Sequence, residues 1–111
     1  MKIEQQKLGT VDVFTPVGPL VDQDGGKFAK LLLERADAPS PRIVVALQDV
    51  PYMDSQALEG FLAAADRLNA RACSLKIAAA APTCREIFEL TGVARHLRFF
   101  RDVQDAVRSF L

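Results

Sequence analysis

The side chains that could do chemistry gather in two short segments. Asp22 and Asp24 lie in the first, and Asp54 and Ser55 lie in the second. Together with Asp49, the four aspartates supply oxygen ligands of the kind that Mg²⁺ prefers, at loops where open α/β sheets bind ligands. A hydroxyl at the start of a helix can also carry phosphate, because the free backbone N–H groups and the helix dipole favour negative charge. These residues therefore allow two chemistries, divalent-cation binding and phosphorylation.

The motifs of the common enzyme classes are absent from the sequence. There is no GxxxxGK[ST] phosphate loop, no GxGxxG and no GxSxG elbow, and Gly25-Gly26 predicts only a flexible turn. His96 is the single histidine and is flanked by arginines, while Cys73 and Cys84 form no CxxC. Aspartates in loops and helix caps are far commoner than aspartates in metal sites. We therefore predict no enzyme activity, no catalytic residue, no metal site and no cofactor.

The composition predicts one globular domain over residues 1–111. Half of the residues are hydrophobic and a quarter are charged, with 14 basic and 14 acidic side chains. The zero net charge gives no support for nucleic-acid binding, and the local basic group around His96 is interpreted as a solvated face. No apolar run reaches the roughly 18 to 20 residues of a membrane span, and the N-terminal residues do not resemble a signal peptide. We expect a cytoplasmic protein with no membrane insertion and with both cysteines reduced, as small core residues.

Hydrophobic periodicity gives the order of the elements that must position the two segments. The order is ββαβαβαβα, which predicts an α/β sheet with mostly parallel strands after an initial hairpin. The strands are predicted around Ile3–Leu8 and Val11–Val17, at 42–47, at 74–79 and, as an edge strand, at 96–100. The first helix follows a loop at 22–26 and carries Phe28, Leu31 and Leu32, and the second is capped by Asp54 or Ser55. The third helix runs from Pro82 to near Gly92 and carries Ile87, Phe88 and Leu90, and the fourth is capped by Asp102.

The segment from Ile43 to Ser55 resembles the core motif of STAS domains, in which an apolar strand and a short turn lead to Asp-Ser-Ser-Gly-Leu at the start of a helix. Gly18-Pro19-Leu20 resembles the family's Gly-x-Leu-Asp loop. The segment from Phe88 to Val93 resembles its Phe-x-Leu-Thr/Ser-Gly-Leu stretch, and Val103 to Val107 its closing helix. The resemblance covers nearly the whole chain and implies a single STAS-type domain, with a mixed sheet of four to five strands and about four helices.

Stand-alone STAS domains are typically bacterial anti-sigma factor antagonists, and the resemblance implies this role here. The dephosphorylated antagonist binds a kinase-type anti-sigma factor and frees sigma for transcription, and phosphorylation of a serine at the start of the second helix breaks the contact. This signalling role implies a protein partner, with a homodimer left open. The partner-binding residues implied by the resemblance are Leu20, Asp22, Asp24, Met53, Asp54, Ser55, Gln56 and Leu58.

The departures from the family pattern concern phosphorylation. Gln56 stands where the family usually has its phosphoacceptor serine, and Ala57 replaces the following glycine. Val21 replaces the loop aspartate, and Ala46 replaces an acidic or amide residue on the central strand. Because glutamine cannot be phosphorylated, we expect the usual switch to be lost or to have moved to Ser55, the candidate phosphorylation site.

Two other functions stay open at this point. The first is a phosphorylation-independent STAS subunit of an ABC lipid-transport system or of a stressosome-like assembly, which Gln56 and Ala46 favour. The second is a small phosphate- or nucleotide-handling enzyme that uses the loop aspartates with Mg²⁺. The second has weak support, because nucleotide binding without a glycine-rich phosphate loop is uncommon.

Overall fold

The sheet has five strands, and their spatial order is the same as their order in the chain. The computed structural model describes residues 1–111. Strands β1 (Lys2–Leu8) and β2 (Val11–Val17) form an antiparallel hairpin that is paired along all of both strands. Strands β3 (Ile43–Ala46), β4 (Leu75–Ala78) and β5 (Leu97–Phe100) then add one after another in parallel. The predicted mixed sheet is confirmed, with five strands.

Four helices complete the predicted order ββαβαβαβα. They are α1 (Asp22–Ala36), α2 (Ser55–Ala70), α3 (Pro82–Thr91) and α4 (Val103–Arg108), and a 3₁₀ turn at Val93–His96 precedes β5. The three crossover helices α1 to α3 bury the larger core cluster against one face of the sheet. The last helix, α4, packs on the opposite face. No helix of the chain combines the length and the apolar character needed to cross a bilayer.

Aromatic side chains fill the core under the three crossover helices. Phe61 of α2 is fully buried, and its ring centroid lies 5.8 Å from that of Phe28 and 5.3 Å from that of Phe88. Each such side chain contributes about 1.5–3 kcal/mol through its burial. On the other face, Val13 and Val44 pack with Ala106 of α4 in a smaller cluster. Helix α4 therefore covers an apolar face that the crossover helices do not reach.

The predicted helix boundaries are confirmed at three helices. The Asp54 carboxylate accepts a hydrogen bond from the Ala57 N–H at 3.1 Å and so caps α2, which settles the choice between Asp54 and Ser55. Asp102 caps α4 in the same way. Pro82 opens α3, which ends at Gly92 with a left-handed φ of 81°.

Two expectations about local structure were wrong. The stretch at 22–26 is not a loop, because α1 begins at Asp22, and Gly25 is buried against α2 rather than in a flexible turn. Leu90 is 79% exposed on the outer side of α3. The neighbouring Phe88 takes the inward position, since residues two apart on a helix do not share a face.

Candidate functional site

Leu20 and Met53 bring the two chemically capable segments together. They form an isolated parallel β-bridge at the carboxyl edge of the sheet. The Leu20 N–H donates to the Tyr52 carbonyl oxygen at 3.1 Å, and the Asp54 N–H donates to the Leu20 carbonyl oxygen at 3.0 Å. The starts of α1 and α2 follow directly from this bridge. Backbone pairing therefore sets the two helix starts side by side.

The carboxylate of Asp54 then links the two helix starts. One oxygen accepts from the Ala57 N–H at 3.1 Å, and the other accepts from the Asp22 N–H at 2.8 Å. These hydrogen bonds, the one from Ala57 above all, hold the pKa of Asp54 below its ordinary value. Asp22 itself has a left-handed φ of 53°, a conformation that aspartate tolerates better than most residues. We call this arrangement the Asp54 clamp.

Two glycines allow α1 and α2 to approach closely. A methyl group at Gly25 would lie 3.2 Å from both the Ala57 Cβ and the Asp54 Oδ1. Gly60 lies one turn after Ala57 on α2, and a methyl group there would overlap the side chain of Ala29 on α1. Sequence reasoning missed both positions. The signal that could have found Gly25 is its position directly after an acidic helix start, where a glycine has no local benefit.

The residues implied as partner-binding divide by exposure. Asp22, Ser55 and Gln56 are exposed, and Asp24, Asp54 and Leu58 are half-buried. These six residues lie at the starts of α1 and α2, and we call them the helix-start surface. Leu20 and Met53 are only 0% and 7% exposed, so they lie beneath the surface that the other six residues form a part of. Tyr52, at 49% exposure beside it, is a surface residue that the sequence did not single out.

The aspartates are not arranged as a metal centre. No group of three or more histidine, cysteine, aspartate or glutamate side chains is placed to hold a metal ion. Both oxygens of Asp54 already accept backbone N–H groups, and Asp49 is exposed in the turn after β3. The geometry gives no support for the hypothesis of a Mg²⁺-dependent enzyme.

Comparison with known proteins gives the family. The family model of the STAS domain matches residues 2–106. The chain belongs to the STAS domain family. No curated protein sequence matches this STAS domain.

Solved structures share the fold of this STAS domain at low sequence identity. A putative anti-sigma factor antagonist from Thermotoga maritima is 15% identical, with a TM-score of 0.86 over 96% of this chain and 92% of that chain. The anti-sigma factor antagonist SpoIIAA in its unphosphorylated form is 14% identical, with a TM-score of 0.74 over 97% and 96% of the two chains. Part of the murine anion transporter Solute Carrier 26 family member A9 is 14% identical, with a TM-score of 0.73 over 92% of this chain and 18% of the transporter. This STAS domain therefore resembles both stand-alone antagonists and a domain of a transporter.

Proposed function

We propose that this STAS domain is a protein-binding regulator of the anti-sigma factor antagonist type, and that it binds a kinase-type anti-sigma factor through the helix-start surface. It would act in transcription regulation in a bacterial cytoplasm, as a binding protein without catalytic activity. The observation that carries the proposal is the Asp54 clamp, because it holds two separate segments as one exposed surface. A surface that is already ordered loses less conformational entropy when a partner binds.

The charge of the helix-start surface supports a role for phosphorylation in this type of contact. Asp22, Asp24 and Asp54 lie in it, and no lysine or arginine side chain is paired with any of them; the amino group of Met1 lies 3.7 Å from Asp24. A phosphate would add about two negative charges here. Because it would meet carboxylates rather than cations, docking would bury an unpaired charge, which is strongly unfavourable.

Gln56 is the reason to propose that binding is independent of the usual switch. It is the second residue of α2, where the family usually has its phosphoacceptor serine, and it is exposed. A neutral amide keeps this position permanently in the uncharged state that favours binding. Ser55, the first residue of α2, has an exposed side chain that a kinase could reach. We propose Ser55 as the one remaining acceptor on this surface.

A charge substitution with a matched control tests the binding surface. Gln56→Asp places a carboxylate at the second residue of α2, which is capped by Asp54. Gln104→Asp places one at the second residue of α4, which is capped by Asp102. The effect on helix stability is similar in both, since each carboxylate lies near a helix N-terminus. We expect Gln56→Asp to weaken binding to a kinase-type anti-sigma factor of the same organism by about tenfold or more, as expected for an unpaired charge at an interface. Gln104→Asp should bind like the wild type.

The partner itself is identified by affinity capture from the source organism with the tagged wild-type chain and the Gln56→Asp variant. Recovery of an ATP-binding anti-sigma protein by the wild type, and its loss with the variant, supports the proposal. Recovery of transporter subunits alone would contradict the proposed function. Equal weakening by Gln56→Asp and Gln104→Asp would contradict the placement of the interface at the start of α2.

Phosphotransfer tests the proposed loss of the switch. The wild type, Gln56→Ser and Ser55→Ala are incubated with the captured kinase and ATP, and the intact masses are measured. We expect Gln56→Ser to gain one phosphoryl group. If the wild type is phosphorylated and Ser55→Ala is not, the switch has moved to Ser55. An inert Gln56→Ser variant would indicate that the kinase no longer docks.

A second candidate is a phosphorylation-independent STAS subunit of an ABC lipid-transport or stressosome-like assembly. Two observations favour it, the fold shared with part of an anion transporter and the fully buried, apolar Ala46 at the end of β3. A neighbouring gene for an ABC ATPase or permease, together with capture of those subunits by both the wild type and Gln56→Asp, would establish this alternative.

A further inference from the structure

A second polar region lies at the opposite edge of the sheet, where the parallel strands begin. It is an open cavity of about 430 Å³ between the loop before β3, the loop before β4 and the end of α4. Arg42, Lys76 and Arg98 line it, together with Ser109 and Phe110 at the end of α4. None of these residues belongs to the helix-start surface. The cavity is therefore separate from the proposed partner-binding site.

Lys76 is the one charged residue of the chain that is buried, at 4% exposure. Its ammonium donates to the Ser109 hydroxyl at 2.6 Å and lies 3.6 Å from the centroid of the Phe110 ring. An ammonium has three N–H donors, and Ser109 is the only acceptor within reach. Burial, and then the nearby charges of Arg98 and Arg42, lower the pKa of Lys76. The charged form of Lys76 is therefore disfavoured both by its burial and by the two nearby arginines.

The three cations of the cavity have no acidic partner. Lys76 and Arg98 are directly opposite each other on neighbouring strands and so lie on the same face of the sheet. Neither they nor Arg42 lie within 4.0 Å of a carboxylate, and Arg42 donates only to the Thr10 hydroxyl, at 2.9 Å. By contrast, five other arginines are paired with carboxylates, namely Arg35, Arg67, Arg85, Arg101 and Arg108. Three cations without a carboxylate partner thus line one cavity.

The rim of the cavity is fixed by hydrogen bonds that need no ligand. The Nη1 of Arg71, in the loop before β4, donates to the carbonyl oxygen of Ala36 at the end of α1, at 2.7 Å, and to that of Ala38 in the loop before β3, at 2.8 Å. These bonds tie together the two loops that form one wall. On the other wall, the Ser109 hydroxyl donates to the Ala106 carbonyl oxygen and so stays oriented toward Lys76. Such a preorganised wall lowers the entropy lost when a ligand binds.

We propose that this cavity binds the phosphate group of a small soluble ligand, held by Arg42, Lys76 and Arg98. Guanidinium groups match the oxygens of a phosphate through paired hydrogen bonds, and a lysine ammonium adds a compact charge. A dianion between the three cations would relieve their mutual repulsion and supply acceptors for the unused N–H groups of Lys76. The volume exceeds that of one phosphate, so a diphosphate or a phosphorylated small molecule also fits. This inference is independent of the function proposed for the helix-start surface.

Titration calorimetry with inorganic phosphate and with pyrophosphate tests the site at low ionic strength. Arg42→Gln and Arg98→Gln each remove one cation from the cavity, and Arg101→Gln is the control, since Arg101 is 88% exposed and lies outside the cavity. We expect saturable one-to-one binding of pyrophosphate that weakens about tenfold or more in each cavity variant, as expected for the loss of a charged hydrogen bond. Arg101→Gln should leave it unchanged. Equal weakening by all three variants, or no saturable binding of either anion, would overturn the proposal.

A second readout follows the titration of Lys76 by NMR of its side-chain amine. A bound dianion favours the charged ammonium, so saturation with pyrophosphate should raise the pKa of Lys76 in the full chain. An unchanged Lys76 titration at saturation would place the anion elsewhere. Sedimentation with vesicles that contain phosphatidic acid separates a lipid headgroup from a soluble ligand. Vesicle binding that is lost in Arg98→Gln, without binding of free pyrophosphate, would refute the soluble ligand.

Discussion

The close crossing of α1 and α2 predicts that Gly60→Ala destabilises the protein. A β-carbon at position 60 would overlap the Cβ of Ala29 and would lie 2.9 Å from the Ala29 Cα. Both obstacles are close to the backbone of α1, so no side-chain rotation can relieve the overlap. The two helices would have to move apart, and the Asp22 N–H would then separate from the Asp54 carboxylate. This substitution therefore tests the packing on which the helix-start surface depends.

The expected magnitude combines two opposing effects. Forcing a methyl group into a packed site costs about 1–3 kcal/mol, and a rigid obstacle places Gly60→Ala at the upper end. Replacing a glycine inside a helix by alanine returns about 1 kcal/mol. The free energy of unfolding should thus fall by about 2 kcal/mol. Urea denaturation monitored by circular dichroism measures this difference.

Gly26→Ala is the matched control for the Gly60 variant. It makes the same substitution inside α1, where the nearest atom to the added methyl group is the Gln56 side-chain nitrogen at 3.3 Å. That nitrogen is the end of a flexible side chain and can move. We expect Gly26→Ala to raise the free energy of unfolding by about 0.5–1 kcal/mol.

A double substitution decides whether the overlap itself causes the loss. Ala29→Gly removes the Cβ that the new methyl group would strike, so Ala29→Gly with Gly60→Ala should cost less than the sum of the two single variants. Additive costs would mean that the two residues do not touch. A Gly60→Ala variant as stable as Gly26→Ala would refute the close crossing altogether.

Two further predictions concern the core and the Asp54 clamp. Phe61→Ala should lower the free energy of unfolding by about 3–5 kcal/mol, because Phe61 is fully buried between two other rings; Leu90→Ala, at an exposed position, should change it by less than about 0.5 kcal/mol. Equal losses in urea denaturation would show that the stripe of α2 is misassigned. For Asp54, the lowered pKa means that the ionised carboxylate stabilises the fold above its ordinary pKa of 3.8, and that this contribution is lost as the pH falls through the lowered value. The difference in free energy of unfolding between the wild type and Asp54→Asn should therefore shrink as the pH falls from 3.8 through the lowered pKa of Asp54. A difference that does not change with pH would contradict the Asp54 clamp.

Local patterns in the sequence were sufficient to predict the order of the elements. Alternation in β2, the apolar run of β3 and the cap residue Asp54 each act within a few neighbouring residues, so the sequence carries them directly. The family resemblance added the expectation that the two segments share a surface, because it placed both beside the regulatory helix start. It did not indicate that Leu20 and Met53 are buried, since burial depends on what packs over them.

The features that sequence reasoning missed depend on contacts between distant segments. Gly25 and Gly60 have no local advantage in a helix, and their value comes only from the approach of α1 to α2. Lys76 stands between Leu75 and Ile77, so alternation alone predicts that it faces away from the main core. Only the position of α4 determines that the other face is also covered, and that Lys76 is buried.

The order of the strands has a consequence for how the chain folds during synthesis. Each strand pairs with the strand that precedes it in the chain, so the sheet can grow at one edge as residues leave the ribosome. Helices α1 to α3 cover one face of the sheet during this growth, because each of them is synthesised before the strand that follows it. The second face stays uncovered until α4 is complete, and α4 follows all five strands in the chain. A nascent chain therefore exposes an apolar patch around Val13 and Val44 until α4 has emerged, and this is the stage at which aggregation and chaperone binding are most favoured.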